Sequence, residues 1–480
     1  MALVLALMAC NVFLGLATSS VNDFEEGRYG VTAFEMLQHR DFVVSTYAGH
    51  KELWALKPPL GYWLMALSFA LFGGSTLALR LPSALCALAT VAVTLWGTRR
   101  WFNRRQALIA GLIVATTFGF LSHHGARSGD FDACLTLILL LVAVQLPGLG
   151  EAPWRVVLVS LLLACGFLLK SFAILPMLLV AGAYLLWTGE WRRLRPTPVL
   201  VALALFGTVV GAWVLARWHA DGSPDFLLRM VREDVVERST AIVDRSTSSP
   251  IGYLTSLFDR FAPWPPVILA AALVALQSGQ LRRLPRGRVA ALLFLWIAIP
   301  LAVVSAVRTQ HHWYLDPTFP PLAMLAAGSA LYLVRRAPNR LRTLALVGLV
   351  ALPLVLCETR LLARVLIKEP MPPSQRFLGA LKPAAAGACH AIRSTFQLAY
   401  SERFILEVED GFQVVEPPPT GAPASALRGA AAIDPTTDCL LVGKSAWRRP
   451  PPPPPDRLPP RRLLLADSSS YSLFRSAGLR

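Results

Sequence analysis

The stretch VNDFEEGRYGV, residues 21–31, places Asp23, Glu25, Glu26 and Arg28 within six positions, directly after an apolar run. Carboxylates so placed either belong to a solvated loop or do acid–base work, and for the latter one of them must come within hydrogen-bond reach of the group it deprotonates. Further along, the segments ALKPPLGYW, HHGARSGDFDACLT, LLKSFA, RMVREDVVERST and RTQHHWYLDP set Lys57, Asp130, Asp132, Lys170, Arg238, His311, His312 and Tyr314 beside hydrophobic stretches. Ionisable groups packed against apolar helix ends are costly and usually serve a pathway or a reaction.

The elements that must position these groups follow from composition. The chain has 480 residues, 55% of them hydrophobic and only 16% charged, with a mean hydropathy of +0.52. That is far more apolar than a soluble globular protein, and it predicts a mainly α, polytopic membrane protein. Apolar runs lie at roughly 2–18, 77–97, 107–125, 133–149, 155–169, 172–188, 197–216, 262–279, 289–307, 317–334 and 343–357. At ~20 residues or a little less each, they predict about eleven transmembrane helices. The first run lacks a basic leader and a small-residue cleavage site, so it reads as a retained anchor and not a signal peptide. PPLGYWLMALSFALFGG, residues 58–74, is too short for a span and predicts an interfacial helix in the first outer loop, next to the helical spacing of EGRYGVTAFEMLQ.

The formal charge is +17. The arginines do not gather on one basic face, which argues against a nucleic-acid partner. They fall in alternate short loops: TRRWFNRRQ (Arg99, Arg100, Arg104, Arg105), EWRRLRP (Arg192, Arg193, Arg195), LRRLPRGR (Arg282, Arg283, Arg286, Arg288) and RRAPNRLR (Arg335, Arg336, Arg340, Arg342). The positive-inside rule makes these loops cytoplasmic. The opening acidic cluster then faces the other side, the periplasm of a Gram-negative cell. An odd number of spans sends the C-terminal tail there too.

Composition changes near residue 360, predicting a transmembrane domain over 1–360 and an extracytoplasmic domain over 361–480. In the latter, FQVVE, CLLVG and RRLLLADSSSYSLFR have strand-like length, which predicts a small α/β fold. Pro450 to Pro455 form an unbroken run, a stiff spacer or loop. Cys10, Cys86, Cys134, Cys165 and Cys357 sit in or beside spans as small apolar residues, whereas Cys389 and Cys439 share the tail and are candidates to pair in an oxidising compartment.

The ordered set EEGRY (25–29), KPPLGYW (57–63), ARSGDFDACLT (126–136), LLK (168–170), APWPP (262–266) and HHWYLDPTFPP (311–321) resembles the polytopic type C glycosyltransferases that use lipid-linked sugars. Within these it is most similar to the aminoarabinose transferases that modify lipid A and the wider protein O-mannosyltransferase superfamily. The resemblance covers about residues 1–335. It implies an inverting membrane enzyme that moves a sugar from a polyprenyl phosphate to a lipid, protein or glycan acceptor at the outer face of the bacterial inner membrane.

The resemblance also implies roles. It assigns the general base to Glu25, where the usual residue is Asp, and Asp23 is the alternative. Asp132 is the second acid, by its Asp-x-x-Leu-Thr spacing, with Asp130 competing and a helix N-cap as the plain role. Lys57, held extended by the prolines that follow, and Arg238 take the donor phosphate, Arg through its planar fork. Arg229, Arg232 and Arg245 are rivals for the latter position. Glu26, Arg28, Tyr29, Lys170 and Tyr314 support the site. His311 and His312, being adjacent, point apart and have no third ligand at a useful spacing. The residues do not require a divalent metal, and they leave room for one. A transporter or flippase of lipid-linked sugars is the rival class, but it would place its charges near the bilayer midplane and show repeated halves. A scaffold or sensor leaves the acid, lysine and tyrosine set unexplained.

Overall fold

The computed structural model describes residues 1–52, 57–122, 124–242, 249, 251–278, 287–363, 371–382, 389–417, 438–443, 464–467 and 471–475. Arg245, Arg282, Arg283, Arg286 and the proline run 450–455 lie outside them.

Each apolar run folds as helix. In chain order these are α1 (Ala2–Phe13), α2 (Glu25–His39), α3 (Leu60–Phe72), α4 (Thr76–Trp101), α5 (Arg104–Thr116), α6 (Asp132–Gln145), α7 (Pro153–Lys170), α8 (Leu175–Thr188), α9 (Pro196–Asp221), α10 (Gly252–Arg260), α11 (Trp264–Gln277), α12 (Arg288–Ala306), α13 (Phe319–Arg336) and α14 (Leu352–Leu361). Local chemistry sets several ends. Ser75 Oγ accepts from the Ala78 amide and Asn103 Oδ1 from the Gln106 amide, capping α4 and α5. Gly189 and Gly222 close α8 and α9 with φ of 69° and 73°, a conformation that glycine adopts without steric cost.

The protein is a mostly helical, multi-pass membrane protein. Among the described residues, six helical stretches are long and apolar enough to cross a membrane, or seven if the pair α10–α11, bent by 105°, is one span. The runs at 155–169 and 172–188 form a continuous helical stretch, Pro153–Thr188, that turns back at Ser171–Ile174, since Arg288 Nη1 lies 3.1 Å from Glu151 and 2.8 Å from Glu190 at its two ends. The runs at 2–18 and 133–149 give helices of only 12 and 14 residues, because their polar ends are used as loop or as site. Residues 58–74 yield the 13-residue α3, too short to span.

In the bundle, α4 packs against α3, α5 and α6, and α7 packs against α6 and α9. α8 lies on α12, while α13 bridges α5 and α11. The two-residue strands β1 (Thr46–Tyr47) and β2 (His50–Lys51) pair antiparallel after α2.

The described tail residues form a mixed sheet of β3 (Ala391–Ser394), β4 (Gln413–Val415), β5 (Asp438–Gly443), β6 (Leu464–Asp467) and β7 (Tyr471–Arg475), ordered β4-β3-β5-β7-β6. β3 runs parallel to β4 and β5, and β7 antiparallel to β5 and β6. Cys389 and Cys439 form a disulfide that ties the start of β3 to β5. A short helix, Tyr400–Phe404, carries the tail onto α2. There Gly27 and Gly30 are needed for close approach: a Cβ on Gly27 would lie 2.6 Å from the Ser401 backbone nitrogen, and one on Gly30 2.5 Å from the Phe404 ring.

Candidate active site

One end of the bundle gathers the chemistry. α2 supplies Glu25 in its first turn, and the loop before α6 supplies His124 and Asp130. Asp132 opens α6, Lys170 ends α7, and Ser171 starts the 3-10 turn leading to α8. A helical segment spanning Asp225–Thr240, with a π turn at Arg232–Glu237, contributes Asp234 and Arg238. The 3-10 turn His312–Thr318 contributes Trp313 and Tyr314. The described non-glycine residues with positive φ are Phe24, Arg40, Ala48, His124 and Ser171. Phe24, His124 and Ser171 belong to this end of the bundle, each costing on the order of 1–3 kcal/mol that the surrounding packing must offset.

A cavity of about 240 Å³ opens among these elements. Its polar end carries Glu25, Lys57, Asp132, Lys170, Asp234 and Arg238, and its wall is apolar, built from α6, α8 and α12 residues such as Leu135, Met177 and Val304. Of the residues expected from the sequence, Glu25, Lys57, Asp132, Lys170, Arg238 and Tyr314 all line it.

Their pairing is specific. Lys170 Nζ donates to both oxygens of Asp132, at 2.6 and 2.7 Å. Lys57 Nζ donates to Asp234 Oδ1 at 2.7 Å, Ser171 Oγ donates to Asp234 Oδ2, and Arg238 Nη1 donates to the Tyr314 hydroxyl at 2.7 Å. Among the arginine rivals, Arg229 is exposed and Arg232 is an exposed partner of Glu237 at 2.9 Å.

Glu25 Oε2 lies 2.9 Å from His124 Nδ1, which also stands 3.3 Å from Asp130 Oδ2. The His124 ring stacks on Trp313 at 3.7 Å, and His311 covers the same indole at 4.3 Å. Burial alone would lower the His124 pKa, but Asp130 and Glu25 outweigh it and push the imidazole up to about 11. Burial likewise raises Glu25, yet the bond and charge of His124 hold it well below the usual carboxylate range. Burial and Arg238 push His311 down to about 4. Glu25, His124 and Asp130 each offer one ligand atom, all within 4.8 Å of one another, so this trio could hold a metal ion. A protonated His124 supplies positive charge at the same point.

The other predicted residues act away from the cavity wall. Asp23 Oδ1 accepts from the backbone amide and hydroxyl of Ser401, at 3.0 and 3.2 Å, and so docks the tail. Glu26 is fully buried, held by Arg80 Nε at 2.6 Å and by the Gly129 and Asn22 amides, both at 2.7 Å. Arg28 lies among the rings of Phe24, Tyr29 and Tyr400, and Tyr29 stacks on Phe131 at 4.6 Å. His124, Ser171, Asp234, Trp313 and Arg80 escaped sequence reasoning. For Arg80 a signal existed: a lone arginine inside the apolar run at 77–97.

A family model described as dolichyl-phosphate-mannose-protein mannosyltransferase matches residues 56–216. The undecaprenyl phosphate-alpha-4-amino-4-deoxy-L-arabinose arabinosyl transferase of Pseudomonas aeruginosa strain PAO1 is 31% identical over 359 residues, covering 72% of this chain and 62% of that protein. The transferase 2 of the same name from Pseudomonas fluorescens strain Pf-5 is 30% identical over 342 residues, covering 69% and 56%. The chain therefore spans between 56% and 62% of the length of these curated relatives. In fold, it matches ArnT from Cupriavidus metallidurans bound to undecaprenyl phosphate with a TM-score of 0.72 at 19% identity, covering 99% of this chain and 98% of that one. It matches the apo oligosaccharyltransferase of Archaeoglobus fulgidus with a TM-score of 0.55 at 11% identity, covering 92% and 69%. In sequence, the chain is similar to the aminoarabinose transferases over about 70% of its length and to the protein mannosyltransferase family over residues 56–216, and in fold it is similar to ArnT.

Proposed function

We propose that the protein transfers a sugar from a polyprenyl phosphate to an acceptor at the periplasmic face of the inner membrane. The observation that carries this reading is the cavity itself, where the carboxylate of Glu25 and the cations Lys57, Arg238 and Lys170 meet above an apolar wall. Such a shape suits a ligand that is phosphate at one end and isoprenoid at the other.

In this reading Glu25 accepts the proton of the acceptor hydroxyl or phosphate as the acceptor oxygen bonds to the anomeric carbon. The bond from that carbon to the donor phosphate breaks with inversion, and the electron pair leaves on the phosphate oxygen. Lys57 and Arg238 take the charge that develops there. Asp132 and Lys170 lie beside this path. The relatives' names put 4-amino-4-deoxy-L-arabinose first among sugars to test, and lipid A is the first acceptor class, ahead of protein and glycan.

The finer topology supports the same face. The tail touches α2, in the loop after the first helix, through Ser401 and Asp23. If α1 spans the membrane, an odd number of spans must precede the tail. Eleven crossings, one per apolar run, satisfy this count and place the site outside with the tail.

A flippase would also bind polyprenyl phosphate, but it needs charges near the midplane, and here they gather at one end. The experiment is transfer of labelled sugar from a panel of polyprenyl-phosphate sugars in membranes holding wild type, Glu25→Gln or Lys57→Ala. Label reaching lipid A, protein or glycan with wild type alone supports the reading. Equal product from both variants removes the assigned site.

A further inference from the structure

The carboxylate of Asp234 sits among the groups assigned to the donor phosphate. Lys57 Nζ donates to its Oδ1 at 2.7 Å, Ser171 Oγ donates to its Oδ2, and Arg238 Nε stands 3.6 Å from Oδ1. Asp234 and Lys57 are largely withdrawn from solvent, with side chains 13% and 7% exposed. Burial pushes the Asp234 pKa up, but Lys57, Ser171 and Arg238 outweigh it and hold the group ionised. Two oxygens met by an ammonium, a hydroxyl and a guanidinium form an anion site, and the protein fills it with its own anion. The phosphate reading needs these same donors and has no use for a carboxylate beside them, since like charges repel.

Resting on that reading, we propose that Asp234 is a gating residue for the donor: it holds Lys57, Ser171 and Arg238 in position, and the incoming phosphate displaces it and takes over the same donors. The backbone gives it a way to leave. Asp234 lies in the π turn Arg232–Glu237, between α-helical residues on both sides. A π turn holds an extra residue, so relaxing it to α geometry turns the side chain by about 100° around the axis without unfolding the segment. The same competition acts in reverse. Transfer turns a phosphodiester donor into a phosphomonoester product of higher charge, and a returning Asp234 speeds its release.

The test is binding of undecaprenyl phosphate to the full chain in lipid nanodiscs, for wild type, Asp234→Asn and Lys57→Ala. Removing the internal anion leaves buried cations underpaired, so Asp234→Asn binds on the order of tenfold tighter than wild type and releases more slowly, while Lys57→Ala binds more weakly. In turnover Asp234→Asn lowers KM and kcat together. An Asp234→Asn affinity equal to or weaker than wild type, with Lys57→Ala still impaired, makes Asp234 a plain structural partner and overturns the proposal. Absence of binding by well-folded wild type instead removes the functional reading, and the gate with it. A second measurement needs no variant: hydrogen exchange across residues 225–240 of the wild type changes with undecaprenyl phosphate and not with undecaprenol. An equal response to both overturns the gate.

Discussion

Glu26 and Arg80 meet in a buried two-point ion pair, Oε1 lying 2.6 Å from Nε and Oε2 3.0 Å from Nη2. Arg80 also donates to the carbonyls of Leu16, Ser19 and Ser20, and Glu26 accepts from Gly129. One contact therefore ties the loop after α1, the first turn of α2, α4 and the loop holding Asp130. Removing one partner strands a buried charge, a loss of about 3–5 kcal/mol. Glu26→Ala and Arg80→Ala should each lower the thermal unfolding midpoint strongly in detergent. Arg80→Lys should recover little, since lysine lacks the planar fork. A midpoint within a degree or so of wild type for Arg80→Ala would show that the clamp is dispensable.

Asp23 and Glu25, two residues apart, face different partners. Glu25 lines the cavity and Asp23 binds Ser401 of the tail. Glu25→Gln should cut sugar transfer by roughly 10²–10⁴ while binding of undecaprenyl phosphate persists. Asp23→Asn should keep most of the transfer rate and instead raise protease sensitivity between α14 and the tail. The reverse pattern would move the base to Asp23.

Much of this arrangement was legible in the chain because apolar runs fold as helices wherever they fall, and because Glu25, Lys57, Asp132, Lys170, Arg238 and Tyr314 all stand at the ends of such runs. Asp234 was not legible as a partner of Lys57, 177 residues away, or of Ser171, 63 residues away, since only the fold brings them together. Nor was the Asp23–Ser401 contact, across 378 residues. His124 stood in view within HHGARSGD, yet its pairing with Glu25 depends on a positive φ that no histidine advertises. Where each span ends was hidden for a related reason. Hydropathy measures how greasy a run is, whereas this protein spends the ends of several runs on turns that carry its polar groups.

The tail's contact with α2 carries a pH dependence. Arg403 donates to Glu407 at 2.8 Å and to Glu416 at 3.1 Å. Burial, with Glu35 and Glu416 close by, outweighs Arg403 and raises Glu407 from 4.5 to about 7. A carboxyl whose folded pKa is raised binds protons more readily when folded. Its contribution is fully present below about 4.5 and is lost as pH rises through about 7. The unfolding midpoint should therefore fall between about pH 5 and pH 8, and Glu407→Gln should flatten that fall. An unchanged slope would take Glu407 out of the account.

The pair Asp132–Lys170 separates stability from catalysis. Its side chains are only 4% and 14% exposed, so each charge depends on the other for its place at the cavity. Asp132→Leu or Lys170→Met alone leaves one buried charge, and each should destabilise by about 3–5 kcal/mol. Joined in one chain they remove both charges, and apolar replacement of a buried pair is often neutral or better. The double variant should regain most of the unfolding midpoint, yet its transfer rate should stay low, because neither group remains to meet the sugar or the phosphate. Recovery of both midpoint and transfer would reduce the pair to a strut between α6 and α7.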